Sequence, residues 1–431
     1  MALQVAEIFT EVIAAPGYEP AALEVLGKKK NLRILELAGG YSRPTREIRQ
    51  VSGGALLQDS DGFENLDVSK WQLVTGNPAS AELLADLEFA WRASRAVKSN
   101  AILLCHAWTG DSHAAGSAEE GSPTPGWWEG LVGSGCAIDT DKWFVVCTNS
   151  LGGCQGSTGP ASLHPQDGKQ YGSRFPVITV RDMVRAQVRV SDMLGIDVWH
   201  SVIGGSMGGM QVLEWAITFP HRVRTLVPIA TCLQATAQQI AWGAIGRRAI
   251  RLDPKWQGGD YYDAAIGEGP WQGLAIARMI AQVTFRSDNV FTDRFGRELA
   301  DMDADYNGLG LWDKFEVENY LDHHGDKLIR RFDTNSYLII GKAMDLHDIA
   351  RGRGTLQNAV SRIAAPVLSV GISSDILYPT YQQKQIRDMI NDVGGTCEYV
   401  EIDSPHGHDA FLINLDQVGK PITEFLTKHA I

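Results

Sequence analysis

Two short stretches, far apart in the chain, carry residue types that could perform acyl chemistry together. Gly204-Gly205-Ser206-Met207-Gly208-Gly209 sets a serine among glycines, and Ser404-Pro405-His406-Gly407-His408-Asp409 sets two histidines in one loop. A serine hydroxyl is a weak nucleophile until a base takes its proton, so the first stretch needs an imidazole from elsewhere. That imidazole needs an acid to hold its tautomer. The glycine pattern reads as a nucleophile elbow, a strand-to-helix turn that holds the serine in a strained conformation. Gly204 and Gly208 would admit neighbouring chain where a Cβ would clash. A turn cradling a phosphate at a helix start is the other reading of such a stretch. The flanks favour the elbow, because an apolar run over 198–204 precedes it and a helical pattern over 207–218 follows.

Chain order narrows the partners, since an elbow of this kind is followed first by the acid and then by the histidine. Of the eleven histidines, His221, His323, His324, His347, His406, His408 and His429 come after Ser206. His221 falls at a helix-to-strand crossing, His323, His324 and His347 in or beside a helical segment, and His429 two residues from the end. His406 and His408 remain, in a loop that follows the last expected strand and opens the last helix. The acid is expected where the apolar run 367–372 breaks, which is Asp375; Asp403, directly before the histidine loop, is read as the end of a strand. Backbone N–H groups of Met207 and of the loop 106–110, taken as that of Trp108, would hold the oxyanion. Metal binding is the rival account of His406-x-His408-Asp409, but no third ligand stands at diagnostic spacing, so no metal is expected.

Such residues must be positioned by strands and helices in alternation. Apolar runs at 101–105, 143–147, 198–204, 224–230, 366–372 and 396–402 read as strands buried on both faces. Helical patterns at 180–194 and 207–218 lie between them, which predicts an α/β fold with a mostly parallel sheet flanked by helices. Residues 238–345 break the rhythm: they are helical and aromatic, with Trp242, Trp256, Trp271 and Trp312, and read as an inserted lid. The core is then expected in two parts, 61–237 and 346–431. Residues 1–60 read as an appendage with two short helical patterns and no chemistry. The first of these, over 1–15, carries Glu7 and Glu11 and no early Lys or Arg, unlike a secretory or transit peptide.

Composition sets the outer bounds. With 44% hydrophobic and 21% charged residues over 431 positions, the chain can bury a large core. Its net charge of −12 disfavours nucleic acid or an anionic membrane as principal partner, and no stretch is apolar enough to span a bilayer. The six cysteines form no C-x-x-C pair, as expected of reduced thiols in a cytoplasmic protein.

Many separate motifs, in one order, resemble the homoserine O-acyltransferases of the α/β-hydrolase fold. Among them are Ser99-Asn100-Ala101-Ile102, His106-Ala107-Trp108-Thr109-Gly110-Asp111, Gly126-Trp127-Trp128-Glu129, Asn149-Ser150-Leu151-Gly152-Gly153-Cys154-Gln155-Gly156, the Ser206 elbow, Asp253-Pro254-Lys255-Trp256, Arg331-Phe332-Asp333 and Gly407-His408-Asp409. The resemblance spans roughly residues 66–428. It implies acetyl transfer from acetyl-CoA, a co-substrate rather than a resident cofactor, through an acyl-serine to the side-chain hydroxyl of L-homoserine in methionine synthesis. The triad it implies is Ser206, Asp375 and His408, with Arg278 on the amino-acid carboxylate and Asp409 on its ammonium. It also implies a cytoplasmic homodimer. L-serine or another hydroxylated acceptor, succinyl-CoA as donor, and plain serine ester hydrolysis are the alternatives. The chain departs from the family at Phe285, where a tyrosine is usual, and at Trp108, more often leucine.

Overall fold

The structure, a computed structural model, describes residues 2, 12–15, 17–29, 32–36, 46–51, 54–59, 100–118, 124–265, 268–300 and 309–430. The chain falls into two compact units, Met1–Glu88 and Phe89–Ile431. In the first, strand β1 (Val12–Ala15) pairs in parallel with β2 (Arg33–Glu36) across helix α1 (Pro20–Leu26), and β3 (Arg46–Val51) pairs antiparallel with β4 (Gly54–Asp59). Proline at the first position of α1 suits a helix start, where its missing N–H has no intrahelical acceptor to lose. Two expectations are corrected here. The helical stripe over 1–15 does not hold at Val12–Ala15, because β-branched Val12 and Ile13 sit in a parallel strand pair. The first unit also extends to Glu88 rather than ending near 60, since apolar periodicity does not say which core a segment joins.

The second unit opens with β5 (Ala101–Cys105), followed by the short pair β6 (Val132–Gly133) and β7 (Ile138–Asp139), then β8 (Phe144–Thr148). Next come α2 (Val180–Met193), β9 (Trp199–Gly205), α3 (Met207–Thr218) and β10 (Val223–Ile229). A helical insertion follows: α4 (Ala237–Leu252), α5 (Trp271–Phe285), α6 (Asp288–Phe295), α7 (Glu316–Ile329) and α8 (Thr334–Asp345). The chain returns through α9 (Leu356–Val360), β11 (Val367–Ile372), α10 (Thr380–Asp392), β12 (Cys397–Ile402), α11 (Ala410–Ile413) and α12 (Leu415–Lys428).

Six strands form one parallel sheet in the order β12-β11-β10-β9-β5-β8. Every residue of β5, β9 and β11 is buried, as covering both faces with helices demands. Helix α3 is apolar nearly all round and buried from Met207 to Ile217, because it crosses the middle of the sheet. The order also locates a crevice. The chain runs outward from β5 to β8, then returns past β5 to β9 and continues the other way. Order therefore reverses between β5 and β9, and the loops leaving their carboxyl ends diverge and open a cleft there. Those loops carry His106–Gly110 and Ser206. Among the described residues, no helix is long and apolar enough to cross a membrane.

Candidate active site

Ser206 stands between the last residue of β9 and the first of α3, with φ 59° and ψ −121°. A non-glycine residue in that region costs on the order of 1–3 kcal/mol, and the strain persists only where the surroundings enforce it. Here they do: a Cβ on Gly208 would lie 2.0 Å from the Cys105 carbonyl oxygen, and one on Gly204 2.6 Å from Gly208. The elbow closes tightly because those positions lack side chains. The Met207 N–H is the first of α3 and has no intrahelical acceptor.

His408 lies in a short 3-10 turn, Gly407–Asp409, after β12, and its Nδ1 is 2.7 Å from Asp375 Oδ2. Both side chains are buried. Asp375 Oδ1 accepts N–H groups from Leu377 and Tyr378 at 2.8 Å each, so the carboxylate is held at both oxygens. Ser374 ties the two loops together, since its hydroxyl donates to the Ser404 carbonyl and accepts the Gly407 N–H at 2.9 Å. His408 Nε2, on the far side of the ring from Asp375, is buried with no hydrogen-bond partner among the described residues. Burial pushes the imidazole down; the charge and hydrogen bond of Asp375, with Asp409 adding, more than offset this, and its pKa is raised above the ordinary 6.5.

The histidine question left open by spacing is answered by contact. Of the pair, His408 meets the acid, while His406 is half-buried with its N–H on Ser404 Oγ. Asp403 is exposed and accepts from Ser373 Oγ at 3.0 Å. Tyr378, missed from the sequence, is buried with its hydroxyl against that of Ser206 and its ring 5.1 Å from the His408 ring. Phe411 and Phe285 flank the same imidazole at 5.5 and 5.8 Å, a dry aromatic setting.

A cavity of about 420 Å³ opens onto Ser206 and His408 and is lined by Trp108, Arg278, Tyr337 and Asp409 among others. The ring of Trp108 stacks on Tyr337 at 4.2 Å, and its loop is tied to the insertion by Arg331, whose Nη1 donates to the Thr109 carbonyl at 2.7 Å. Arg278, from α5, makes no hydrogen bond or ion pair among the described residues; its guanidinium sits 5.3 Å from the Phe285 ring. Burial lowers its pKa and Asp409 works against that. Asp409 itself pairs with Arg286 Nη2 at 3.2 Å, a partner 123 positions away that spacing could not reveal. Two guanidinium groups thus face one carboxylate, which leaves the cluster with a net positive charge that suits an anionic group. Among the described residues, no three His, Cys, Asp or Glu side chains converge as a metal site.

Residues 100–415 match the α/β-hydrolase fold family, and residues 1–118 match a different one, the AICARFT/IMPCHase bienzyme family. The homoserine O-acetyltransferase of Symbiobacterium thermophilum is 50% identical over 327 residues, which is 76% of this chain and 84% of that one. That of Moorella thermoacetica is 50% identical over 331 residues, 77% and 87%. Among solved structures, the homoserine O-acetyltransferase of Bacillus anthracis aligns with TM-score 0.71 and 32% identity, over 76% of this chain and 88% of that one. Esterase E22 aligns with TM-score 0.69 and 29% identity, over 76% and 90%. With an α/β-hydrolase sheet, a strained serine at its switch point and 50% identity to such relatives over three quarters of its length, the chain belongs to the homoserine O-acetyltransferase family.

Proposed function

We propose that this chain transfers an acetyl group from acetyl-CoA to the side-chain hydroxyl of L-homoserine, in two steps through an acyl-serine. In the first, Ser206 Oγ attacks the thioester carbonyl carbon and its proton passes to His408 Nε2. The N–H groups of Met207 and Trp108 hold the oxyanion, and collapse expels the thiolate, which recovers the proton from His408. In the second, the homoserine hydroxyl gives its proton to His408 and attacks the ester carbon, and Ser206 leaves as the alcohol.

The observation that carries this reading is the uncommitted Arg278 guanidinium inside the same cavity as Ser206 and His408. A site built for a neutral ester has no use for a half-buried, unpaired cation lining its cavity, which an anion such as an amino-acid carboxylate would pair. Asp409 would receive the ammonium at the carboxylate oxygen not engaged by Arg286. The helical insertion α4–α8 would act as the lid that limits water. Ester hydrolysis is the second reading, favoured by the similarity to esterase E22.

Release of free thiol from acetyl-CoA, with homoserine, L-serine or no amino acid added, separates the two. Homoserine is expected to turn a single burst into steady release, and release indifferent to any amino acid would overturn the transferase reading. Succinyl-CoA in place of acetyl-CoA tests the donor. Replacing Arg278 with methionine is expected to raise the KM for homoserine by about 10²-fold, the cost of removing one partner of a charge pair that the bound substrate would shield from water. The acylation burst should be unchanged, because that step involves no acceptor.

The first unit is proposed to play no part in this reaction. The described residues lining the cavity belong to Phe89–Ile431, and the relatives above align with only about three quarters of the chain. Removing residues 1–88 is expected to leave kcat and both KM values unchanged; a rise in either KM would assign that unit to the site.

A further inference from the structure

The His106 side chain takes no part in the proton transfers described above, yet it is buried at the carboxyl end of β5, beside the loop assigned to oxyanion binding. Its two ring nitrogens are both engaged. Nε2 lies 2.9 Å from the Ser150 backbone N–H, which can only donate, so Nε2 must be the bare, accepting nitrogen. Nδ1 then carries the proton and donates to the Ala107 carbonyl at 2.7 Å. That same carbonyl accepts the Gly110 N–H at 2.9 Å, closing a tight turn over 107–110.

A carbonyl held by two donors fixes the peptide plane it belongs to. The Ala107–Trp108 peptide is trans and planar, so its N–H points opposite to its C=O. With the oxygen turned towards His106 and Gly110, the Trp108 N–H is turned away from both, and among the described residues it donates to no acceptor. Through Ser150 the imidazole also reaches the segment that leaves β8, the strand paired with β5, so the ring spans two neighbouring strand ends. Burial lowers the His106 pKa, against the Ala107 carbonyl and Asp111, which favours the neutral form this arrangement requires.

We propose that His106 is a positioning residue, which locks the Ala107–Trp108 peptide with its N–H directed at the developing oxyanion. The inference rests on the acyl-serine reading above, because it presumes an oxyanion formed at Ser206.

Two substitutions divide the imidazole's functions. His106→Asn places an amide nitrogen near the Nδ1 position and keeps a donor for Ala107; His106→Gln reaches towards Ser150 and loses it. The expected result is a fall of about 10²-fold in the acylation rate for H106Q, the loss that follows removal of one oxyanion donor, with KM for homoserine unchanged. H106N should retain most of the rate. Equal losses in both variants, or a loss confined to KM, would overturn the proposal. Should H106Q fail to fold, ¹⁵N spectra of the unsubstituted protein decide the matter: a neutral Nδ1–H tautomer that does not titrate between pH 5 and 9 supports it, and an Nε2–H or charged ring refutes it. Absence of any thiol release by the unsubstituted protein would instead defeat the acyl-serine reading, leaving the tautomer as a separate test.

Discussion

Replacing Ser206 with alanine is expected to lower the rate of acetyl transfer by at least about 10⁴-fold, the loss typical when the nucleophile of such a triad is removed. The expectation follows from the bond made in the first step, in which Ser206, lining the same cavity as His408, supplies the attacking oxygen. Tyr378 also faces Ser206, but burial raises its phenol pKa well above the ordinary value and keeps it a neutral donor. Incubation with acetyl-CoA should add one acetyl group to the intact chain, seen by mass spectrometry, and none to the alanine variant. Ser206→Gly gives a companion measurement. Glycine adopts φ 59°, ψ −121° without strain, so that variant should be more stable by about 1 kcal/mol while equally inactive. Retention of activity in either variant would exclude Ser206 as the nucleophile.

The origin of that strain is legible in the sequence. Apolar runs bounded by turn residues located all six strands of the main sheet to within a residue, although only β5, β9 and β11 are buried throughout, while β8 is half-buried along its length and β12 exposes Glu401. The elbow was readable because its glycines answer to contacts with adjacent strands. What spacing could not show is what tertiary contact decides. His406 and His408 are equivalent in the sequence, and only the twist of the loop at Gly407 (φ 67°) presents one of them to Asp375. The pairing of Asp409 with Arg286, and the hold of His106 on Ala107, depend on side-chain direction rather than on order. The start of the second unit was misplaced for another reason. Periodicity alone does not assign a segment to one core or another.

The second large effect concerns Asp375, and it is a matter of tautomer more than of charge. Asp375 Oδ1 accepts two backbone N–H groups, from Leu377 and Tyr378, while Oδ2 accepts from His408. In an Asp375→Asn variant the amide can satisfy those two backbone donors only with its oxygen, which turns its NH₂ towards His408 Nδ1. That nitrogen must then be bare, so the ring's single proton moves to Nε2. An Nε2–H cannot accept the Ser206 proton, and the expected fall in kcat is about 10⁴-fold with the fold intact. The pH profile gives an independent sign. In the unsubstituted enzyme the acid limb of kcat/KM should have its midpoint above 6.5, since activity is lost as pH falls through the raised pKa of His408 and the ring becomes protonated. With asparagine, the carboxylate that offsets burial is gone, and desolvation then lowers the pKa, so the residual activity should persist to lower pH. A variant with an unmoved acid limb would mean that another group sets that limb, and one with near-normal kcat would mean that Asp375 does not orient the base.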